Sequence, residues 1–158
     1  MDNPFQTTGL RHGTDDSRGL LERIEAQLTE RIDEAVEMAA LHLLVELRKR
    51  HDRPAPESDS REDRDEFAAL AADLLAYLGE AFETELSADL QRELDRAGTG
   101  GANPRARALR GQVFLSRQLP DYWQRFETYR AAHAEARLTL PGQPSGGQPS
   151  GFFRRLFS

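Results

Sequence analysis

The chain has no cysteine, which excludes a disulfide framework, a thiolate-held zinc or iron–sulfur centre and a cysteine nucleophile. Long apolar runs are equally scarce. The densest, Met38 to Val45, is short and carries His42, so no segment is expected to span a bilayer. The opening Met1-Asp2-Asn3-Pro4 has neither the basic region nor the apolar core of a secretory signal, so no leader is expected there. Lysine is nearly missing. Arginine outnumbers it 20 to 1, which together with the many alanines reads as a GC-rich coding bias of bacterial type.

Motifs that carry chemistry are missing too. None of His12, His42, His51 and His133 has a carboxylate three positions upstream, so the Glu-x-x-His pattern of di-iron bundles does not occur. There is no His-Glu-x-x-His and no P-loop. Gly98-Thr99-Gly100-Gly101 lacks a phosphate-binding lysine and reads as a helix stop. No cofactor and no metal are therefore expected. The balance of 21 basic against 27 acidic residues, net −6, repels polyanions and argues against nucleic acid as a partner.

What the chain does contain is helix. Its 158 residues, 38% hydrophobic and 30% charged, suit one modest domain with tails. Residues 1–17, with Asn3-Pro4, Gly9 and Gly13, lack periodicity and read as a disordered arm ending at an N-cap, Ser17. Leu21, Ile24, Leu28, Ile32, Ala35, Ala39 and Leu43 then recur at steps of three and four, predicting a helix over 18–50. Its second half, 36–47, is apolar on more than one side and is expected to be buried by more than one neighbour. Pro54 and Pro56 break it. Ser60 and Asp63 resemble a capping box opening a helix over 62–96, along which Phe67, Leu70, Leu74, Leu78, Phe82, Leu86, Leu90 and Leu94 keep one stripe. Asn103-Pro104 opens a third helix, 104–138, kinked or broken near Pro120. The expected fold is all-α, an up-down-up bundle of three long helices over 18–138 with an N-terminal arm and a C-terminal tail. The second helix carries 11 acidic and 3 basic residues and the third 7 basic and 3 acidic, so the two are expected to lie side by side. The long Leu-rich stripes suggest a homo-oligomer.

Candidate binding residues inside the bundle are few. His42, set among Met38, Leu41, Leu43 and Leu44, has the setting of a haem ligand or of a group polarising a buried substrate; the plainer reading is a packed core or interface histidine. Tyr122, Trp123, Phe126 and Tyr129, with His133 one turn on, are spaced to hold a planar ligand or to fill a core. Glu80, Glu83 and Glu85 look like a solvated face, and Arg105, Arg107, Arg110 and Arg117 have no recognition motif beside them.

The C-terminus departs from a plain bundle. Gly142-Gln143-Pro144-Ser145-Gly146 is repeated as Gly147-Gln148-Pro149-Ser150-Gly151, so 139–151 reads as a flexible linker, spanning about 20 Å as a coil. It ends in Phe152-Phe153-Arg154-Arg155-Leu156-Phe157-Ser158. On a helical wheel the three phenylalanines and Leu156 fall within an arc of about 140°, with both arginines outside it. Such a segment fits an anionic membrane surface or a groove on a protein partner. It resembles the short C-terminal targeting tails of bacterial membrane-associated proteins and the cargo-loading tails of proteins packed into bacterial shells. The expectation is a noncatalytic helical adaptor or assembly protein, cytoplasmic, peripheral at the inner membrane face or inside a protein shell. The competing expectation is an enzyme or ligand carrier with a pocket near His42 or Trp123, delivered by the same tail.

Overall fold

The computed structural model describes residues 4–98 and 103–139, with side chains from Ser17 onward. Among the described residues there is no strand, and five helices replace the expected three: α1 (Pro4–Arg50), α2 (Arg61–Glu83), α3 (Ala88–Gly98), α4 (Pro104–Gln118) and α5 (Tyr122–Leu138).

Helix α1 begins at Pro4, well before Ser17. A proline at the first helical position gives up an N–H that has no acceptor there. Gly9 and Gly13 each cost about 1 kcal/mol of helix propensity without forcing a break. The stretch read as an arm is thus helical from Pro4, and the helix runs 47 residues, about 70 Å. It ends in a Schellman turn. Arg53 N–H donates to the Arg48 carbonyl (2.8 Å) and Asp52 N–H to that of Lys49 (3.2 Å), with Asp52 left-handed at φ 53°. Arg48 does more than complement the helix end. It is buried, and its guanidinium donates to Asp63 Oδ1 (2.6 Å), Glu66 Oε1 (2.5 Å) and the Pro54 carbonyl (3.1 Å), tying α1, the Pro-rich turn and α2 together. This holds Asp63 below the usual carboxylate range.

Ser60 caps α2, its Oγ accepting from Asp63 N–H at 3.3 Å. The expected capping box stays half-closed, because the Asp63 carboxylate serves Arg48 and the Glu57 N–H instead. The continuous helix over 62–96 is also corrected. It breaks at 84–87, where the Ser87 hydroxyl accepts from Leu90 N–H (3.2 Å) and Gln91 donates back to the Glu83 carbonyl (2.9 Å). The new helix start is therefore satisfied locally. Asn103 caps α4, accepting from Ala106 N–H at 2.8 Å. At Pro120 the third expected helix breaks outright, with Leu119 extended (φ −107°, ψ 116°) as a residue before proline must be.

Contacts fix the directions. Arg48 meets the start of α2, so α2 runs against α1. Arg105 pairs with Asp33 and Glu37, and Arg117 with Glu25, so α4 also runs against α1. Trp123 lies beside Arg31 and the Leu138 carbonyl beside Arg50, so α5 runs along α1. Helix α3 folds onto α4 where Gly111 leaves room, since a Cβ there would stand 3.3 Å from Leu94. The core joins Ile32, Val36, Leu43 and Leu44 of α1 to Leu70, Leu74, Leu78 and Phe82 of α2, and closes with Leu109, Val113 and Leu115 of α4 and Tyr122 and Phe126 of α5. The segments 62–96 and 104–138 do lie side by side, α3 on α4 and α2 on α4 and α5, but the ion pairs are shared out differently: Arg105 and Arg117 of α4 pair with carboxylates of α1, while Arg137 of α5 reaches Asp73 of α2 (3.3 Å).

Candidate functional site

The aromatic residues of α5 enter the core one turn at a time. Tyr122 and Phe126 are buried. Phe82 from α2 stacks on Tyr122 (centroids 5.1 Å apart, planes at 5°) and meets Tyr129 edge-on at 4.9 Å. Tyr122 donates to Gln112 Oε1 at 2.7 Å, a buried bond that gives both polar groups a partner. Tyr129 donates to Glu85, and burial together with that carboxylate pushes its hydroxyl pKa up to about 12. His133 is buried edge-on against Tyr77 at 5.3 Å. Burial, helped by the positive Arg137, lowers its pKa to about 4, so the ring is neutral at pH 7. Trp123 is half-buried beneath the Arg31 guanidinium, 4.3 Å from the ring centre.

These residues do not converge with His42 on one cavity. His42 is exposed on α1, whereas Phe126 and His133 pack into the core on α5. Among the described residues, open grooves flank the bundle, two of them formed between its helices. One, of about 330 Å³, lies between α2, α3 and α4 over Leu75, Leu94, Gly111 and Leu115. The other, of about 850 Å³, runs between α2 and α5 past Tyr77, Glu80, Tyr129 and Ala132. Neither is lined by His42 or Trp123. Among the described residues no three histidine, aspartate or glutamate side chains gather where they could hold a metal ion, and no helix is long and apolar enough to cross a membrane.

The outer side of α1 is where the surface is unusual. Leu20 and Met38 are 53% exposed and Leu21, Ile24 and Leu41 40%; these are the large exposed hydrophobics among the described residues, and all five lie on α1. As expected, α1 packs against more than one neighbour, α2, α4 and α5, yet part of 36–47 stays uncovered. Val36, Ala40, Leu43 and Leu44 face the core, while Met38, Leu41 and His42 face outward. Near its N-terminal end α1 also outruns its neighbours. The bundle reaches it as far as Leu28 by packing and Glu25 by the Arg117 ion pair, and Leu20, Leu21 and Ile24 lie beyond. The sequence carried the signal in Leu20, Met38 and Leu41, which fall between the positions of the covered stripe.

Phe152, Phe153, Arg154, Arg155, Leu156 and Phe157, and the linker before them from residue 140, lie outside the described residues; Thr139, the first linker position, caps α5. Compared with known proteins, the chain matches no family model, no curated protein and no solved structure.

Proposed function

We propose that the chain is a noncatalytic helical assembly protein, which associates through its bundle and is recruited to a membrane surface or a partner protein by its C-terminal tail. The observation that carries this reading is the outer side of α1. Leu20, Leu21 and Ile24 at one end and Met38 and Leu41 further along leave two apolar groups exposed on a single helix, which marks an interaction site more strongly than the same residues scattered over the surface would. The sequence of the tail supports the second half. Two arginines near an anionic surface contribute about 1 kcal/mol each, and the apolar side chains add to this against the cost of ordering a short peptide. A single tail binds weakly, so recruitment draws its strength from several tails on one assembly.

The test is flotation of the full chain with vesicles containing anionic lipid. A chain ending at Gly151 is expected to lose flotation while keeping its thermal midpoint. Phe153→Ser with Phe157→Ser should abolish recruitment of either kind. Arg154→Glu with Arg155→Glu should abolish salt-sensitive membrane binding and weaken an apolar protein contact less. If removing 152–158 lowers the unfolding midpoint substantially and leaves recruitment intact, the tail belongs to the fold and this reading fails.

A further inference from the structure

We infer that the outer side of α1 is an antiparallel coiled-coil seam for a second copy of this chain. The inference rests on the self-association proposed above and supplies its surface, partner and register. From Leu20 one row of outward positions, at the centre of the side turned away from the core, advances alternately by four and three residues as far as Val45, the a/d spacing of a coiled coil. Seven of these eight positions are exposed, and Val45 is half-buried.

Read against its own reverse, the row is complementary. With the two-fold axis between Ile32 and Asp33, Leu20 faces Val45 of the second copy, Ile24 faces Leu41 and Gln27 faces Met38. At the centre Arg31 faces Glu34, and symmetry makes every pair occur twice. A parallel pairing would instead set Arg31 on Arg31 and Glu34 on Glu34, so the central charges select the antiparallel arrangement.

Those two central residues are available. Among the described residues neither Arg31 nor Glu34 has an ion-pair partner within the chain. Arg31 lies over the Trp123 ring, 4.3 Å from its centre, a cation–π contact that steadies the guanidinium without using up its N–H donors. The flanks fit as well. Leu21 comes opposite His42 of the second copy, giving both exposed side chains a neighbour. On the other flank Glu30 comes opposite Glu37, and Arg105, 3.5 Å from Glu37, supplies the cation. The register also covers the overhang, because Leu20 and Ile24, beyond the reach of their own bundle, lie on the C-terminal half of the other α1. As α5 ends beside Arg50, the two α5 C-termini of the dimer stand about 50 Å apart.

The test is the mass of the full chain in solution by light scattering and sedimentation. A species of twice 17.8 kDa is expected. Glu34→Arg should weaken it about tenfold or more, since two attractions become two repulsions, and the double variant Arg31→Glu with Glu34→Arg should restore it. Ile24→Lys with Leu41→Lys should give monomers whose near-ultraviolet circular dichroism is that of the parent, because neither side chain enters the core. A full chain monomeric at every concentration, or a dimer indifferent to Glu34→Arg, overturns the seam. A larger assembly indifferent to Glu34→Arg overturns this register and leaves self-association standing; loss of flotation with an intact dimer bears on the tail alone.

Discussion

Replacing Phe82 by alanine is expected to remove about 4 kcal/mol of stability, as is usual for truncating a fully buried aromatic. Phe82 has no exposed surface and is the point where α2 meets α5. Its ring stacks on Tyr122 and takes Tyr129 on edge, so truncation forfeits two ring contacts as well as apolar burial. The void cannot close cheaply, because Tyr122 is held by its bond to Gln112 and Tyr129 by Glu85. Denaturant unfolding should show the midpoint falling with little change of slope. Phe82→Leu, which keeps most of the volume, should cost much less. If Phe82→Ala costs no more than an exposed substitution, the aromatic cluster is not part of the core.

Phe82 also shows how much of the fold could be read in the sequence. The stripes of period 3.6 located most of the core, including Ile32, Leu43, Leu70, Leu74, Leu78 and Phe82, because burial of one helix face leaves its period in the sequence. The break after Glu83 escaped because Leu86, Leu90 and Leu94 keep the phase of the preceding stripe. Apolar phase does not distinguish one helix from two that bury the same side, and the signal lay in the polar residues Thr84 and Ser87, the second of which is a cap. The early start of α1 escaped for the opposite reason. Glycines that favour a loop in isolation are carried within a helix by the residues that follow. Arg48 could be placed at a helix end, but its burial follows from the chain reversal at Pro54 and Pro56, which brings Asp63 and Glu66 to it.

The aromatic residues and His42 were legible as residues and not as a site. Spacing along one helix puts Trp123, Phe126, Tyr129 and His133 near one another, yet whether they enclose a space or fill one depends on what the opposite helix supplies. Here α2 supplies Tyr77 and Phe82, and the rings interlock. On α1 the two-sided apolar pattern read as two neighbours in one chain. Those neighbours are there, as α2, α4 and α5, but Leu20, Leu21, Ile24, Met38 and Leu41 stay exposed, and on the proposed seam the charges of Arg31 and Glu34 would set the direction of pairing.

Acid should destabilise the bundle between pH 6.5 and pH 4, and His133 should be the main cause. In the unfolded chain this histidine takes up a proton near pH 6.5; in the fold burial and the charge of Arg137 lower its pKa to about 4. Between those values the unfolded state binds the extra proton, so stability falls as pH falls. Above pH 6.5 the ring is neutral in both states and its contribution is fully present. Below pH 4 both states are protonated and the loss is complete, about 3 kcal/mol for a shift of this size. The groups around it work differently. Tyr77 is uncharged throughout this range, its own pKa raised by burial. Asp73, which pairs with Arg137, is held above its ordinary value by burial, so at the acid end it offsets part of the loss. His133→Leu keeps an apolar side chain against Tyr77 and removes the proton site. Its unfolding free energy, measured from pH 7 to pH 4, should fall by markedly less than that of the parent chain. Equal slopes in the two proteins would show that His133 titrates normally and is solvated in the fold.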